Sequence, residues 1–376
     1  MSLTQLVSRR MPLLSQQHMV SVLIPTFQRE EFVHEAVMSA VSQSYENLDI
    51  VICDDGSTDE TLSPSLAIAA ADPRVRVYRQ ESNVGFRLNM QTLLELAEGS
   101  YIQFLGSDDL LEYRAAETLS YILGSEQKAA IATSPRYHIS ATGEVVGLLD
   151  SGPLNATRQT YHEPATVGRA VLVDHRNWIG ELTTAMFRRA DLSPNEFAVY
   201  RGKTYNWISD VSTWFTLLDK GGVAFTPDVL SSCRIHDGQE GHRNRELLSS
   251  DWVDLIADSI PHFIGTWVDL SVALTRTLME LGRDLILSSD RAVQSEYGRV
   301  VMHIADLISH GSELIEFRSA TANGPGAATE SHVSEKPKKP ILMPTEKITD
   351  VWNMGNSSEP ETQFQMTTAA SSREGI

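Results

Sequence analysis

The sequence predicts an α/β fold with a mostly parallel central sheet flanked by helices, followed by a helical C-terminal region and a disordered tail. Three observations carry that expectation. Strand-like and helix-like segments alternate four times between residues 20 and 105, the pattern of parallel strands joined by right-handed crossovers. From about residue 246 to 317 the apolar positions keep a helical period. After Arg318 the composition turns to Ala, Thr, Ser, Gly, Pro and Lys, which offers too little apolar surface to bury.

The elements follow in order. Val20 to Ile24 is a short β-branched run stopped by Pro25 and reads as a buried strand. Val33, Ala36, Val37, Ala40 and Val41 then share one helical face. A second strand, Leu48 to Cys53, ends at Asp54-Asp55-Gly56-Ser57, where Gly56 permits a tight turn. Ser57 and Glu60 have capping-box spacing for the next helix, although Pro64 forces a short first turn or a restart. Val75 to Tyr78 is a third strand. A helix is expected over Asn89 to Glu98, closed by Gly99, and Tyr101 to Leu105 is the fourth strand. Residues 128 to 205 mix strand-like pieces with Gly- and Pro-rich loops. Near Asp210 a helix carries Val211, Trp214, Phe215 and Leu218 on one stripe and stops at Gly221-Gly222. The later helical region breaks at Pro261 and near Ser288-Ser289.

Composition narrows the function. At roughly 100–200 residues per domain, 376 residues make about two domains. Apolar residues form 41% and charged residues 21% of the chain, enough for a sizeable core. With 31 Lys+Arg against 49 Asp+Glu, the net charge of −18 argues against a nucleic-acid binder. Two cysteines, Cys53 and Cys233, exclude a disulfide scaffold and a Cys-rich zinc module, which makes a reducing, cytoplasmic setting the simpler reading. No run reaches the roughly 18–20 apolar residues of a spanning helix. Met11-Pro12-Leu13-Leu14, after Arg9 and Arg10, is too brief for a signal-peptide core. A peripheral membrane contact stays open.

Polar clusters fall at the strand ends, where open α/β sheets bind ligands. Pro25-Thr26 follows the first strand, Asp54-Asp55 the second, Asn83 to Asn89 the third and Asp108-Asp109 the fourth. Two carboxylate pairs on one rim repel each other unless a cation or a donor-rich ligand lies between them. Plainer readings stand beside this one. Asp54-Asp55-Gly56 also suits a simple turn, Asp108-Asp109 could cap a helix from Leu110, and Ser209 or Asp210 could cap the helix that follows. His236 could be a solvated imidazole, and Cys53 a small buried residue. Trp252, Leu255, Ile256, Phe263, Ile264 and Trp267 suit core or a dimer contact better than a membrane face, because Asp rather than Lys or Arg accompanies them.

Val22 to Phe27, Val51-Ile52-Cys53-Asp54-Asp55-Gly56-Ser57-Thr58-Asp59, and Tyr101-Ile102-Gln103-Phe104-Leu105-Gly106-Ser107-Asp108-Asp109 resemble, in order and spacing, the family 2 inverting glycosyltransferases of GT-A fold. The likeness covers about residues 19 to 240. It implies a nucleotide site in which Pro25 and Thr26 line the base pocket, Asp55 (with Asp54 before it) meets the pyrimidine, and Asn83 and Asn89 flank it. Ser107 and Asp108 would meet ribose and diphosphate. Mn²⁺ or Mg²⁺ would be held by Asp108, Asp109 and His236. Gly106 stands where many members carry the first motif aspartate, which leaves the usual ribose contact without its carboxylate. Trp207-Ile208-Ser209-Asp210-Val211 resembles the segment bearing the family's base, so Asp210 is expected to take the acceptor proton. Cys233-Arg234-Ile235-His236 resembles the Tyr-Arg-x-His element, with Cys233 replacing the aromatic. Glu181 is a candidate for facing the acceptor.

The implied organisation is an N-terminal extension (1–18), a GT-A domain (19–245, its nucleotide-binding half 19–110 and acceptor half 111–245), a helical region (246–317) and a tail (318–376). The implied activity moves a sugar from a UDP- or dTDP-linked donor to a saccharide or lipid-linked acceptor, in surface polysaccharide or glycolipid assembly. A homodimer through the C-terminal helices stays open. A non-catalytic assembly protein of the same fold is the alternative. A sugar-nucleotide pyrophosphorylase is disfavoured, because Pro25-Thr26-Phe27-Gln28-Arg29 lacks the glycines of a phosphate loop.

Overall fold

A computed structural model describes residues 18–236, 245–287, 291–322 and 341–343. The first strand, β1 (Val20–Thr26), is buried along almost its whole length, as a central parallel strand must be. The helix α1 (Val33–Val41) buries Val33, Ala36, Val37 and Ala40 of the stripe expected from the sequence and leaves Val41 half-buried. It leads to β2 (Leu48–Asp54), every residue of which is buried.

The following elements correct three boundaries. Helix α2 (Leu62–Ala71) begins after the Ser57–Glu60 pair, which forms no capping box. Ser57 is engaged elsewhere: its Oγ accepts the Gln28 N–H, and its own N–H donates to Asp54 Oδ2. Pro64 therefore falls in the first turn, where its missing N–H costs nothing. After β3 (Val75–Arg79), helix α3 (Phe86–Leu96) starts three residues before Asn89, with Gly85 at φ +87° as its N-cap. After β4 (Tyr101–Phe104), no helix starts at Leu110. A two-residue strand, β5 (Leu110–Leu111), comes first, and α4 (Ala115–Ser125) follows.

Next in the chain are β6 (Ala129–Thr133), β7 (Arg136–Ile139), β8 (Val145–Leu149), β9 (Thr160–His162), α5 (Pro164–Asp174) and β10 (Ala185–Arg188). Next come β11 (Val199–Tyr200), β12 (Lys203–Thr204), α6 (Ser209–Leu218), β13 (Gly222–Phe225) and β14 (Ser231–Arg234). The helical region forms α7 (Arg245–Asp258), α8 (Trp267–Leu287) and α9 (Arg291–Ala322). In the tail, β15 (Ile341–Leu342) pairs antiparallel with β3. The rest of the expected tail beyond residue 322, and the extension before residue 18, lie outside the described residues.

The large sheet has the order β15-β3-β2-β1-β4-β10-β6-β13-β9. Its β3-β2-β1-β4 block is parallel, with Thr26 opposite Asp54 and Asp54 opposite Arg79. All four carboxyl ends therefore open on one edge. A second sheet, β5-β14-β7-β8, closes over that edge. Pairing of Ser232 with Leu110 turns the end of β14 back above the loop after β4. One face of the large sheet packs on α1, α2 and α4. The other shares a single apolar cluster with α3, α5, α6 and the C-terminal helices. Among the described residues no helix is long and apolar enough to cross a membrane.

Candidate active site

At the β1 and β2 ends the rim is built from buried polar atoms. Thr26 is 3% exposed, and Asp54, opposite it, is wholly buried. Thr26 Oγ1 and Asp54 Oδ1 have no hydrogen-bond partner among the described residues, whereas Asp54 Oδ2 accepts the Ser57 N–H and lies 3.6 Å from Arg79. Burial raises the Asp54 carboxyl above its ordinary range. Asp55 Oδ1 accepts the Val84 N–H (2.7 Å) and Oδ2 the Gly85 N–H (2.9 Å). Burial pushes this carboxyl up as well, against the pull of those two donors. Asn83 is exposed beside it, its Oδ1 accepting the Gly85 N–H. Asn89 faces the core instead: its Nδ2 donates to Cys53 O (2.8 Å), which ties α3 to the end of β2.

The loop after β4 separates its two aspartates. Asp108 Oδ2 lies 3.0 Å from His236 Nε2 and 3.4 Å from Arg29 Nε. The His236 ring also packs on Phe32, with centroids 4.7 Å apart. Asp109 turns inward. Its Oδ2 accepts the Thr183 hydroxyl (2.6 Å) and its Oδ1 the Arg234 N–H (3.0 Å). Burial and the neighbouring Asp108 charge push the Asp109 carboxyl well up. These two contacts tie the loop to Thr183 and Arg234, while Asp108 lies beside His236. Arg234, 1% exposed, braces the same loop through Nε to Asp108 O, Nη1 to Ala141 O and Nη2 to Glu35.

A cavity of about 280 Å³ joins this rim to the start of α6, lined among others by Pro25, Asp108, Asp109, Glu181 and Asp210. Asp210 sits in the first turn of α6, after Ile208 as N-cap. Its Oδ2 accepts the Asn177 amide (2.9 Å), and its Oδ1 the Val211 N–H (2.8 Å). Burial, with the Glu181 charge nearby, raises its carboxyl to about 6. Glu181 is ion-paired to the buried Arg136 at 2.5 Å. Burial pushes Glu181 up, but the charge and hydrogen bond of Arg136 outweigh it and hold the carboxyl below its ordinary range. Cys233 lies buried against Glu181 Oε2, and burial holds its thiol protonated.

Residues 21–193 match the family described as glycosyl transferase family 2. This segment is a family 2 glycosyl transferase domain. An uncharacterized protein of Mycobacterium tuberculosis is 30% identical over 218 residues, 57% of this chain and 66% of that one. An uncharacterized glycosyltransferase of Haemophilus influenzae is 23% identical over 276 residues, 70% of this chain and 80% of that one. Among solved structures, S. aureus TarS 1-349 in complex with UDP-GlcNAc has a TM-score of 0.56 at 13% identity, covering 79% of this chain and 83% of that one. That likeness is one of fold.

Within the family 2 domain Gly106 sits in a tight space. A Cβ at Gly106 would lie 2.8 Å from Asp109 Oδ2, an atom already held by Thr183. The Gly106 N–H also donates to Thr183 Oγ1, so the turn closes on itself. Sequence reasoning missed Asn177, Arg136, Thr183 and the bracing role of Arg234. Only Arg234 carried a local signal, through its place in Cys233-Arg234-Ile235-His236. The others meet the site by packing.

Proposed function

We propose that this chain moves a sugar from a nucleotide-diphosphate donor, UDP- or dTDP-linked, to an acceptor hydroxyl with inversion at the anomeric carbon. The observation that carries the reading is the shared cavity, where the nucleotide-side residues Pro25 and Asp108 face the half-buried carboxylate of Asp210. A base near neutral pH suits proton removal from a hydroxyl, and Asp210, at about 6, has that character. The acceptor oxygen would bond to the anomeric carbon as the bond from that carbon to the diphosphate oxygen breaks, and the hydroxyl proton would pass to Asp210. Glu181, on the same cavity wall, would meet the acceptor. The UDP-GlcNAc complex of TarS supports a nucleotide-sugar donor. Thr26 and Asp54, with unused hydrogen-bonding atoms at the rim, support a donor-rich ligand there, and Asp55 fixes the 83–85 loop beside it. For the pathway we propose surface polysaccharide or glycolipid assembly, a reading that the family likeness supports.

Asp108 and His236 fit a divalent ion of the Mn²⁺ or Mg²⁺ class. One carboxylate and one imidazole, 3.0 Å apart, suit an ion that completes its shell with diphosphate oxygens and water. Asp109, expected from the resemblance as a third ligand, accepts one hydrogen bond on each oxygen, from Thr183 and from Arg234, and keeps a lone pair on each for an ion. Such an ion would stabilise the charge of the departing diphosphate. Arg29, close to Asp108, would add a second cation on the same side.

Calorimetric titration with UDP tests the donor half: affinity should rise with Mn²⁺ or Mg²⁺, and Asp108→Ala should remove the gain. The absence of any gain in the unsubstituted chain would refute the ion assignment. Asp210→Asn should bind UDP normally and lose transfer about 10²–10⁴-fold. Transfer at the normal rate would place the base elsewhere.

A further inference from the structure

We infer that the C-terminal helices belong to the catalytic apparatus, with Asn177, on a turn gripped by α8, and Asp251 of α7 acting as positioning residues for the Asp210 carboxylate. The inference rests on Asp210 being the base. Three polar contacts fix the Asn177 amide. Its Nδ2 donates to Gly180 O (2.7 Å) and to Asp210 Oδ2 (2.9 Å), and its Oδ1 accepts the Gly180 N–H (3.0 Å). Gly180 has φ +109°, and a Cβ there would lie 2.3 Å from Thr184 Oγ1. The turn thus requires glycine, and its geometry dictates where the amide points.

That turn is held from outside the family 2 domain. Trp178 Nε1 donates to Asp174 Oδ2 (2.9 Å), and the other oxygen of Asp174 is paired with Arg276 of α8. The His175 ring packs on Trp252 of α7, centroids 4.4 Å apart, and its Nδ1 lies 3.2 Å from Thr277 Oγ1 of α8. The second attachment is at the start of α6. Asp251 Oδ2 accepts the Trp207 N–H (2.8 Å), one residue ahead of the Ile208 N-cap. The chain entering α6 is thereby tied to α7. Trp214 Nε1 donates to Gly180 O (2.8 Å), locking α6 to the turn. Asp210 is therefore fixed between two attachments, both ending on C-terminal helices.

The charged groups around it are Glu181 on the same turn, with Arg136 of β7 behind it, and Asp108 and Asp109 across the cavity. Asn177 and the Val211 N–H are the donors recorded on its oxygens. A donor on a carboxylate favours the ionised form, so its loss should weaken the carboxylate's acidity and its aim together.

The test uses the full chain, with transfer measured as kcat, donor KM and pH profile, and folding followed by thermal melting. Asn177→Ala should lower kcat about tenfold or more, leave donor KM within about twofold, and move the acid limb of kcat to higher pH. Asn177→Asp keeps the shape, loses the donor and adds charge, so it should move the limb further. Asp251→Ala should lower kcat, and Asp251→Asn, which keeps an acceptor oxygen, should restore most of it. An unshifted acid limb in both Asn177 variants overturns the inference, as does an Asp251→Asn enzyme no better than Asp251→Ala. Asp210→Asn is the control. If it transfers normally, the base assignment itself has failed and the inference falls with it. If it is dead while the other variants behave as the unsubstituted chain, only the inference fails.

Discussion

Asp210 and Glu181 line one cavity and are driven in opposite directions, and the difference comes from a single guanidinium. Arg136, 2% exposed, keeps Glu181 ionised, and the resulting negative charge helps to hold Asp210 up at about 6. Transfer should therefore fall as pH drops through about 6, where the base takes its proton. Glu181→Gln removes one of the charges that raise Asp210, so its acid limb should move to lower pH. The same change strands Arg136. Breaking a fully buried pair costs ~3–5 kcal/mol. The Glu181 side chain is 43% exposed, and screening reduces the expected loss to about 1–2 kcal/mol. A pH–kcat profile and urea unfolding check both halves, and an acid limb shifted upward would contradict this account. The residues named from sequence at this scale lay in contiguous motifs at strand and helix ends. Arg136 meets Glu181 across 45 residues and Arg234 meets Glu35 across 199, separations that no local spacing encodes.

Among the elements, α3 shows how one side chain sets a boundary. The helical period of Met90, Leu93 and Leu94 locates its buried face from sequence. Its start at Phe86 depends on Asp55, which accepts the Val84 and Gly85 N–H groups just ahead of the helix. Asn89, the start expected from sequence, is spent on Cys53 O inside the core. The Ser57–Glu60 spacing misled for a similar reason, because Ser57 serves Gln28 and Asp54 across the rim. Local patterns compete with tertiary partners, and here the tertiary partners win. Asp55→Asn tests the point. An amide can accept from only one of the two N–H groups and turns its own NH₂ toward the other, at a cost of about 1–3 kcal/mol. Amide hydrogen exchange at Val84 and Gly85 should accelerate, UDP affinity should fall, and the melting temperature should drop. Unchanged exchange at both amides would mean that the helix start is set elsewhere.

At the scale of the molecule, the question is whether the helical region is an appendage or part of the domain. From sequence the stripe of Trp252, Leu255, Ile256, Phe263, Ile264 and Trp267 suited core or a dimer contact. The structure buries all but Trp267 within the chain itself, beside α5 and α6, in the cluster that contains Phe187, Trp214 and Phe225. Leu255, Ile256, Phe263, Ile264 and Leu270 are each at most 3% exposed. At roughly 1.5–3 kcal/mol apiece they contribute about 8–15 kcal/mol, comparable with the ~5–15 kcal/mol net stability of a whole domain. A chain ending at residue 236 would keep every rim motif yet expose the apolar surface of α5 and α6 that those side chains cover. It should fail to unfold cooperatively, as followed by near-UV circular dichroism on heating, and should bind a hydrophobic dye at room temperature. Point substitution grades the same effect: Ile256→Ala should cost about 2–5 kcal/mol and leave the rim untouched. A truncated chain with a sharp melting transition and normal UDP affinity would show that the GT-A portion stands alone, and the buried stripe would then need another purpose.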